Sequence, residues 1–171
     1  MIFSHCSSIP VLVVILTFTL AAAELKRIDT PKFEDYFIAN VYKEKNVPLI
    51  LTKDDRLYRT RLRLGARGKV NFAGHYVLVI WGCGASCRMG AAIDAVSGRV
   101  HWLPGTVCCW DTAIEEDPSL GDSIVFHADS NLLILSGLIN ERGVNGVHYF
   151  KFEAGHFTHL LTIPQAQINE P

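Results

Sequence analysis

The first 23 residues contain no Asp, Glu, Lys or Arg, and the whole chain carries a formal charge of only −1. A chain without a basic excess points away from a dedicated nucleic-acid binder. Several catalytic signatures are also missing: the Gly-rich phosphate loop, the GxSxG nucleophile elbow, the HExxH zinc motif and paired carboxylates in a cleft-like context. Beyond residue 24 there is no linker, low-complexity tract or fixed-length repeat. Residues 24–171 therefore read as one globular domain, long enough to bury a genuine core.

What the N-terminus does contain is an almost wholly apolar run over residues 10–20, followed by Ala21-Ala22-Ala23. Small residues at those positions suit a signal-peptidase site. The run is short for a permanent span, which needs about 20 apolar residues. Residues 1–23 are expected to be a signal peptide cleaved near Ala23, with the mature protein secreted or periplasmic. An uncleaved anchor is the alternative, because the segment before the run lacks Lys and Arg.

Cysteine usage agrees with export. Cys6 leaves with the signal, and an even four remain: Cys83, Cys87, Cys108 and Cys109. In an oxidising compartment these read as disulfide partners before metal ligands. Cys83 and Cys87 flank Gly84-Ala85-Ser86, so a hairpin turn would bring their Cα atoms to about 5.5 Å. Adjacent Cys108 and Cys109 sit about 3.8 Å apart at Cα, below the usual disulfide range, and in extended chain would point to opposite faces. Cys83–Cys87 is favoured, with cross-links from that loop to Cys108 and Cys109 as the alternative.

Near-neutrality hides an uneven distribution. Between Lys53 and Lys69 stand Arg56, Arg59, Arg61, Arg63 and Arg67, opposed only by Asp54 and Asp55. Asp111, Glu115, Glu116, Asp117 and Asp122 form an acidic counterpart. The bland interpretation is two solvated faces. The sharper one makes the five arginines an anion-binding patch for an envelope polymer or lipid head groups.

Hydrophobic periodicity predicts helices first and strands afterwards. Thr30-Pro31 suits the start of a short helix carrying Phe33, Tyr36, Phe37 and Val41. Asp54 or Asp55 would cap a second through about Leu64, with Leu57, Tyr58, Arg61 and Leu64 on one face. Strands are expected at 72–81, 89–95, 99–103, 123–127, 131–138, 146–152 and 156–163, with short turns that make an antiparallel meander. The stretch 103–121 is the main irregular loop. Two strands, around 75–81 and 132–135, are apolar on both faces and read as central, covered by the helices. The fold class is α+β: a meander of about seven strands with two short N-terminal helices.

Asn71–Tyr76 (NFAGHY), then WGCGxxC, IDAxSGRV and ADSNLLILSG, resemble a family of small secreted bacterial proteins of unassigned function. Arg59-Thr60-Arg61-Leu62-Arg63 and Phe33-Glu34-Asp35-Tyr36 match further segments of that family. The resemblance spans most of 33–163 and implies an exported globular domain without assigning an activity. The hairpins also resemble β-propeller blades, although seven strands make barely two.

Individual chemistries are weak. His75 and Cys83 share strand parity but stand about 26 Å apart in extended chain, too far for proton transfer. Cys83 and Cys87 follow a CxxxC spacing within strand pattern, unlike the CxxC that opens a helix in redox proteins. His148, His156 and His159 lack an obvious common metal geometry, although folding about Ala154 would set His148 nearly opposite His159. Asp94 before Gly98 suits a side chain capping its own turn. Trp81, Trp102 and Trp110 read as half-buried core before a binding groove. No metal or cofactor is expected. The leading expectation is a non-enzymatic binding module for an unknown protein or anionic envelope polymer. The alternative is an enzyme: a thiol oxidoreductase using Cys83 and Cys87, or a hydrolase assembled from distant residues.

Overall fold

The computed structural model of this chain describes residues 29–110 and 122–165. The N-terminal apolar run and four of the five clustered acids lie outside the described residues. Among those described, no helix is long and apolar enough to cross a membrane.

Eight antiparallel strands form one connected sheet: β1 (Tyr76–Gly84), β2 (Cys87–Asp94), β3 (Val100–Trp102), β4 (Val107–Cys108), β5 (Ile124–Phe126), β6 (Leu132–Ile139), β7 (Arg142–Glu153) and β8 (His156–Pro164). The order is β1-β2-β4-β6-β7-β8, with β3 on β2 and β5 on β6. The sheet is thus two meanders, β1–β3 and β5–β8, joined by the two-residue β4. This is the α+β meander that the turn spacing predicts. The joining strand was not legible: it lies in the stretch expected to be irregular, and two residues are too few to show a period.

Side-chain parity sorts the core into three clusters. Tyr76 and Leu78 of β1 meet Leu133 and Leu135 of β6 and Phe150 and Phe152 of β7. Val77 and Trp81, on the other face of β1, pack with Ala91, Ile93 and Leu62. Leu132 and Ile134, on the other face of β6, pack with Val147 and Tyr149, flanked by Phe33 and Tyr36. Both strands are buried on two faces, as their continuous apolar runs imply. β1 nevertheless ends the strand order, so it is an edge strand covered on both sides.

The helices are shorter than expected. A 3-10 turn, Phe33–Tyr36, replaces the first one. Its carbonyls are taken by tertiary partners: Ser130 Oγ lies 3.0 and 3.1 Å from the carbonyls of Phe33 and Tyr36, and Asn131 N–H donates to Tyr36. The chain leaves as extended backbone and Phe37 bridges Ser130. A second 3-10 turn, Asp54–Tyr58, runs into α1 (Arg59–Gly65). Its start is held by Thr52 and Asp55: the Asp55 carboxylate accepts from the Thr52 N–H and hydroxyl, both at 2.7 Å. The inward face carries Leu62, wholly buried, and Tyr58, whereas Leu57 and Leu64 are 78% and 67% exposed. The expected apolar face is therefore the wrong one. A turn that starts as 3-10 advances about 120° per residue and not 100°, which rotates the pattern.

β1 begins at Tyr76, four residues later than predicted, because the NFAGHY segment is a crossing point. Phe72 and Tyr76 exchange backbone hydrogen bonds around Ala73 (φ 45°) and Gly74 (φ 76°). Gly74 donates to Ala128 and accepts from Tyr42, and a Cβ there would press on Ile38 at 2.9 Å. Glycine answers both the left-handed backbone and the close approach. The Asn71 amide pairs with both backbone groups of Leu78, and Ala95 N–H donates to His75. The motif ties three distant segments together.

Candidate functional site

The basic residues line a groove built from two elements. One wall is the second 3-10 turn and α1; the other is the extended segment 41–51. That segment is pinned by backbone bonds from Tyr42 to Gly74, Val47 to Ala95 and Ile50 to Gly98. Asn46 joins the walls, donating at 2.9 Å to the carbonyls of Ala66 and Gly68 that end the helix. These orphan carbonyls would otherwise need water.

Three clefts follow one another along this seam. The largest, about 700 Å³, is bordered by Tyr42, Lys43, Lys45, Arg67 and Lys69. The next, about 530 Å³, lies between Lys45, Arg63 and Arg67. The third, about 520 Å³, is enclosed by Leu49, Leu51, Arg56, Arg59 and Arg63. Arg56, Arg59 and Arg63 meet because i, i+3 and i+7 fall on one helical face. Arg67, beyond the helix, continues the row. Arg61 borders none of the three clefts and stands apart from the other four.

The groove is predominantly basic, although Glu44 also borders its largest cleft. Among the described residues, the ion pairs are Arg88–Asp122 and Lys151–Glu153, and His75 Nε2 lies 3.9 Å from the Asp94 carboxylate. None involves a groove cation, and Asp122 is paired with Arg88. Asp55, the nearest acid in sequence, is turned inward and buried, where it also accepts from the Trp102 indole at 2.9 Å. Burial pushes the Asp55 carboxyl up, but hydrogen bonds from the Thr52 hydroxyl, the Thr52 N–H and Trp102 outweigh it, and the net shift is downward. Asp55 thus anchors the helix from behind without neutralising the row in front. Trp102 meets both Tyr58 and Trp81 edge to face in that same backing layer.

The cysteines gather at the far end of the sheet. Cys83 and Cys87 are bonded, with Cα atoms 5.2 Å apart, across a turn with Ser86 at φ 47° and a register shift between Gly82 and Gly84. Cys108 lies directly opposite Cys87 in the β2–β4 pairing, but the cross-links considered for Cys108 and Cys109 are not made. The expectation that these two would point to opposite faces fails. Cys109 adopts φ 60°, which breaks the strand alternation and brings the two sulfurs to 2.6 Å. Trp110 follows, with Arg88 5.3 Å above its ring.

The histidines do not converge on a site. The tight turn pairing Glu153 with His156 sets His159 opposite Phe150, and a bulge between Tyr149 and Phe150 moves His148 one residue further, opposite Thr162, correcting the pairing expected about Ala154. His148 Nε2 donates to the Gly137 carbonyl at 2.9 Å, so Nδ1 accepts from the Thr162 hydroxyl at 2.9 Å. The same hydroxyl oxygen accepts from His159 Nε2 at 2.8 Å. Both ring nitrogens of His148 are thus engaged, and burial lowers its pKa despite the bond to Gly137. Among the described residues no group of three or more metal-ligating side chains occurs. The Asp94 carboxylate is likewise occupied by its own turn, accepting from Val96 N–H at 2.9 Å and the Ser97 hydroxyl at 2.5 Å.

Compared with known proteins, the chain matches no family model, no curated protein and no solved structure.

Proposed function

We propose that this protein is an exported, non-enzymatic binding module whose groove between segment 41–51 and α1 holds an anionic polymer. One observation carries this reading: a row of arginines lines three adjoining clefts with no ion-pair partner among the described residues. Side chains at helical spacing and a preformed wall reduce the ordering cost of binding. Arginine suits the task because its planar fork pairs with carboxylate, sulfate or phosphate in two contacts.

The test is binding of the purified protein to a soluble polyanion between about 50 and 200 mM salt. Affinity is expected to fall steeply with salt. Combined replacement of Arg56, Arg59, Arg63 and Arg67 by Ala should weaken binding at least ~10-fold, or roughly 1.4 kcal/mol. Arg61→Ala should do far less. Equal affinity of the quadruple variant at low salt would remove the reading.

A second reading has its own support. Leu57 on the second 3-10 turn and Leu64 on α1, the helix that carries Arg61, are both exposed, and apolar side chains beside cations favour an anionic lipid surface. Vesicles with and without anionic lipid separate the two. Capture by vesicles that Leu57→Ser and Leu64→Ser abolish would move the assignment from polymer to membrane. A redox role for Cys83 and Cys87 requires opening their bridge, and no hydrolytic constellation supports the enzyme alternative among the described residues.

A further inference from the structure

We propose that Cys108 and Cys109 are a dithiol–disulfide exchange site, which closes to a vicinal disulfide on meeting a small-molecule or protein disulfide and reopens on meeting a thiol. The inference is independent of the basic groove. It begins with geometry: the two sulfurs lie 2.6 Å apart, closer than unreacted thiols pack and near the bonding distance of about 2.05 Å. A vicinal pair in ordinary strand geometry would diverge. Here Cys109 is held at φ 60°, a backbone conformation uncommon for a residue with a Cβ. The surroundings hold that conformation. Cys108 is paired on one side to Cys87 and on the other to Leu138, and the Cys109 carbonyl accepts from the Asn145 amide at 3.3 Å. Non-glycine residues kept in such regions concentrate at functional sites.

A structural explanation is weak. A bond between neighbouring residues closes almost no chain, so it removes little entropy from the unfolded state. The Cys83–Cys87 bridge already closes the adjoining turn. What a strained, accessible disulfide does offer is easy reduction.

Access assigns the order of events. Cys109 is exposed and Cys108 buried. The Cys108 thiol is pushed up to about 11, first by its contact with the Cys109 sulfur and then by burial, so it stays protonated at neutral pH. Cys109 is the attacking sulfur. As thiolate it displaces one RS⁻ from the disulfide RSSR, and that thiolate takes a proton from water. Cys108 then loses its proton to solvent and attacks the Cys109 sulfur of the mixed disulfide, expelling the second RS⁻, which takes a proton from water to give RSH. In sum, one dithiol and one RSSR give one ring disulfide and two RSH. An excess of thiol runs the same steps backwards.

The test is a peptide mass map of the purified full chain after equilibration with oxidised and reduced glutathione mixtures, acid quenching and alkylation. In oxidising mixtures the peptide holding Cys108 and Cys109 should lose two hydrogens and resist alkylation. Both alkylation sites should return in excess reduced glutathione, with Cys83–Cys87 bonded throughout. In Cys108→Ser a stable glutathione adduct should accumulate on Cys109. In Cys109→Ser, Cys108 should react roughly 10-fold or more slowly than Cys109 does in the wild type. Two thiols that remain alkylatable at every ratio would overturn the proposal. So would a stable double adduct, or Cys108 bonded to Cys83 or Cys87. The wild-type map decides the matter if either variant fails to fold.

Discussion

The NFAGHY crossing and the basic groove share the stretch from Ile38 to Asn46, yet they follow opposite rules. At the crossing, polar groups turn inward and find partners: Asn71 with Leu78, Gly74 with Ala128 and Tyr42. In the groove, cations turn outward and find no ion-pair partner among the described residues, Arg59 donating only to the Arg56 carbonyl at 3.3 Å. The most distinctive sequence in the chain therefore marks where the fold is tied, and the repetitive Arg-rich stretch marks where the molecule has binding capacity left. Satisfied groups contribute to stability; charges without partners are free to contribute to binding.

The largest expected effect breaks the crossing itself. Phe72 is wholly buried among Phe126, Phe152 and Phe157, and Phe72→Ala should cost about 3–5 kcal/mol in denaturant unfolding. Survival with less than about 1 kcal/mol lost would mean that the crossing can collapse around the cavity.

Next comes Asp55, the carboxylate that supports the groove from behind. Asp55→Asn should cost about 2–3 kcal/mol, because charge-assisted bonds from Thr52 and Trp102 are lost. Its lowered pKa sets the sign of the pH dependence: the contribution is complete above the ordinary carboxylate pKa and is lost as pH falls through the lower folded value. The variant should flatten that acid limb. His148 acts earlier. Held neutral by burial, it binds its proton less readily when folded, so stability declines as pH falls below the ordinary histidine pKa. Thermal melts across the acid range should show both steps in the wild type and the upper one alone in Asp55→Asn.

Opening the Cys83–Cys87 bridge should cost about 2 kcal/mol, as expected for a loop of only a few residues. Reduction followed by alkylation and a chemical melt measures it. The smallest effect on stability belongs to the groove. Replacing Arg56, Arg59, Arg63 and Arg67 by Ala should move unfolding by no more than about 0.5 kcal/mol per residue. A larger loss would show that the arginines support the fold and would erase the contrast with the crossing.

Much of this architecture was legible from periodicity. The alternation Tyr76/Leu78 against Val77/Trp81 divides two core clusters as written, and Asp94 caps its turn before Gly98 as its position implies. The five arginines were visible as a cluster, and Arg61 leaves the row because it stands two residues from both Arg59 and Arg63, about 200° round the helix from each. The groove was not visible, because it needs segment 41–51 lying against α1. The expected facing of His148 and His159 failed because the turn pairs Glu153 with His156 and sets His159 opposite Phe150, and a bulge then shifts His148 one residue further. The convergence of Cys108 and Cys109 was not legible, because it depends on a single backbone angle, φ 60° at Cys109.

The sequence by itself determined the strands other than β4, most of the turns between them and the two-faced burial of β1 and β6, and it favoured the Cys83–Cys87 bridge. Each depends on residues close together along the chain, through a period of two or a short turn. Only tertiary structure decided which cations line one groove, which histidines meet, and that two adjacent sulfurs face each other. Those outcomes depend on long-range pairing across β2, β4 and β6 and on segment 41–51 lying against α1, where the partners are far apart in sequence and the local signal is no guide.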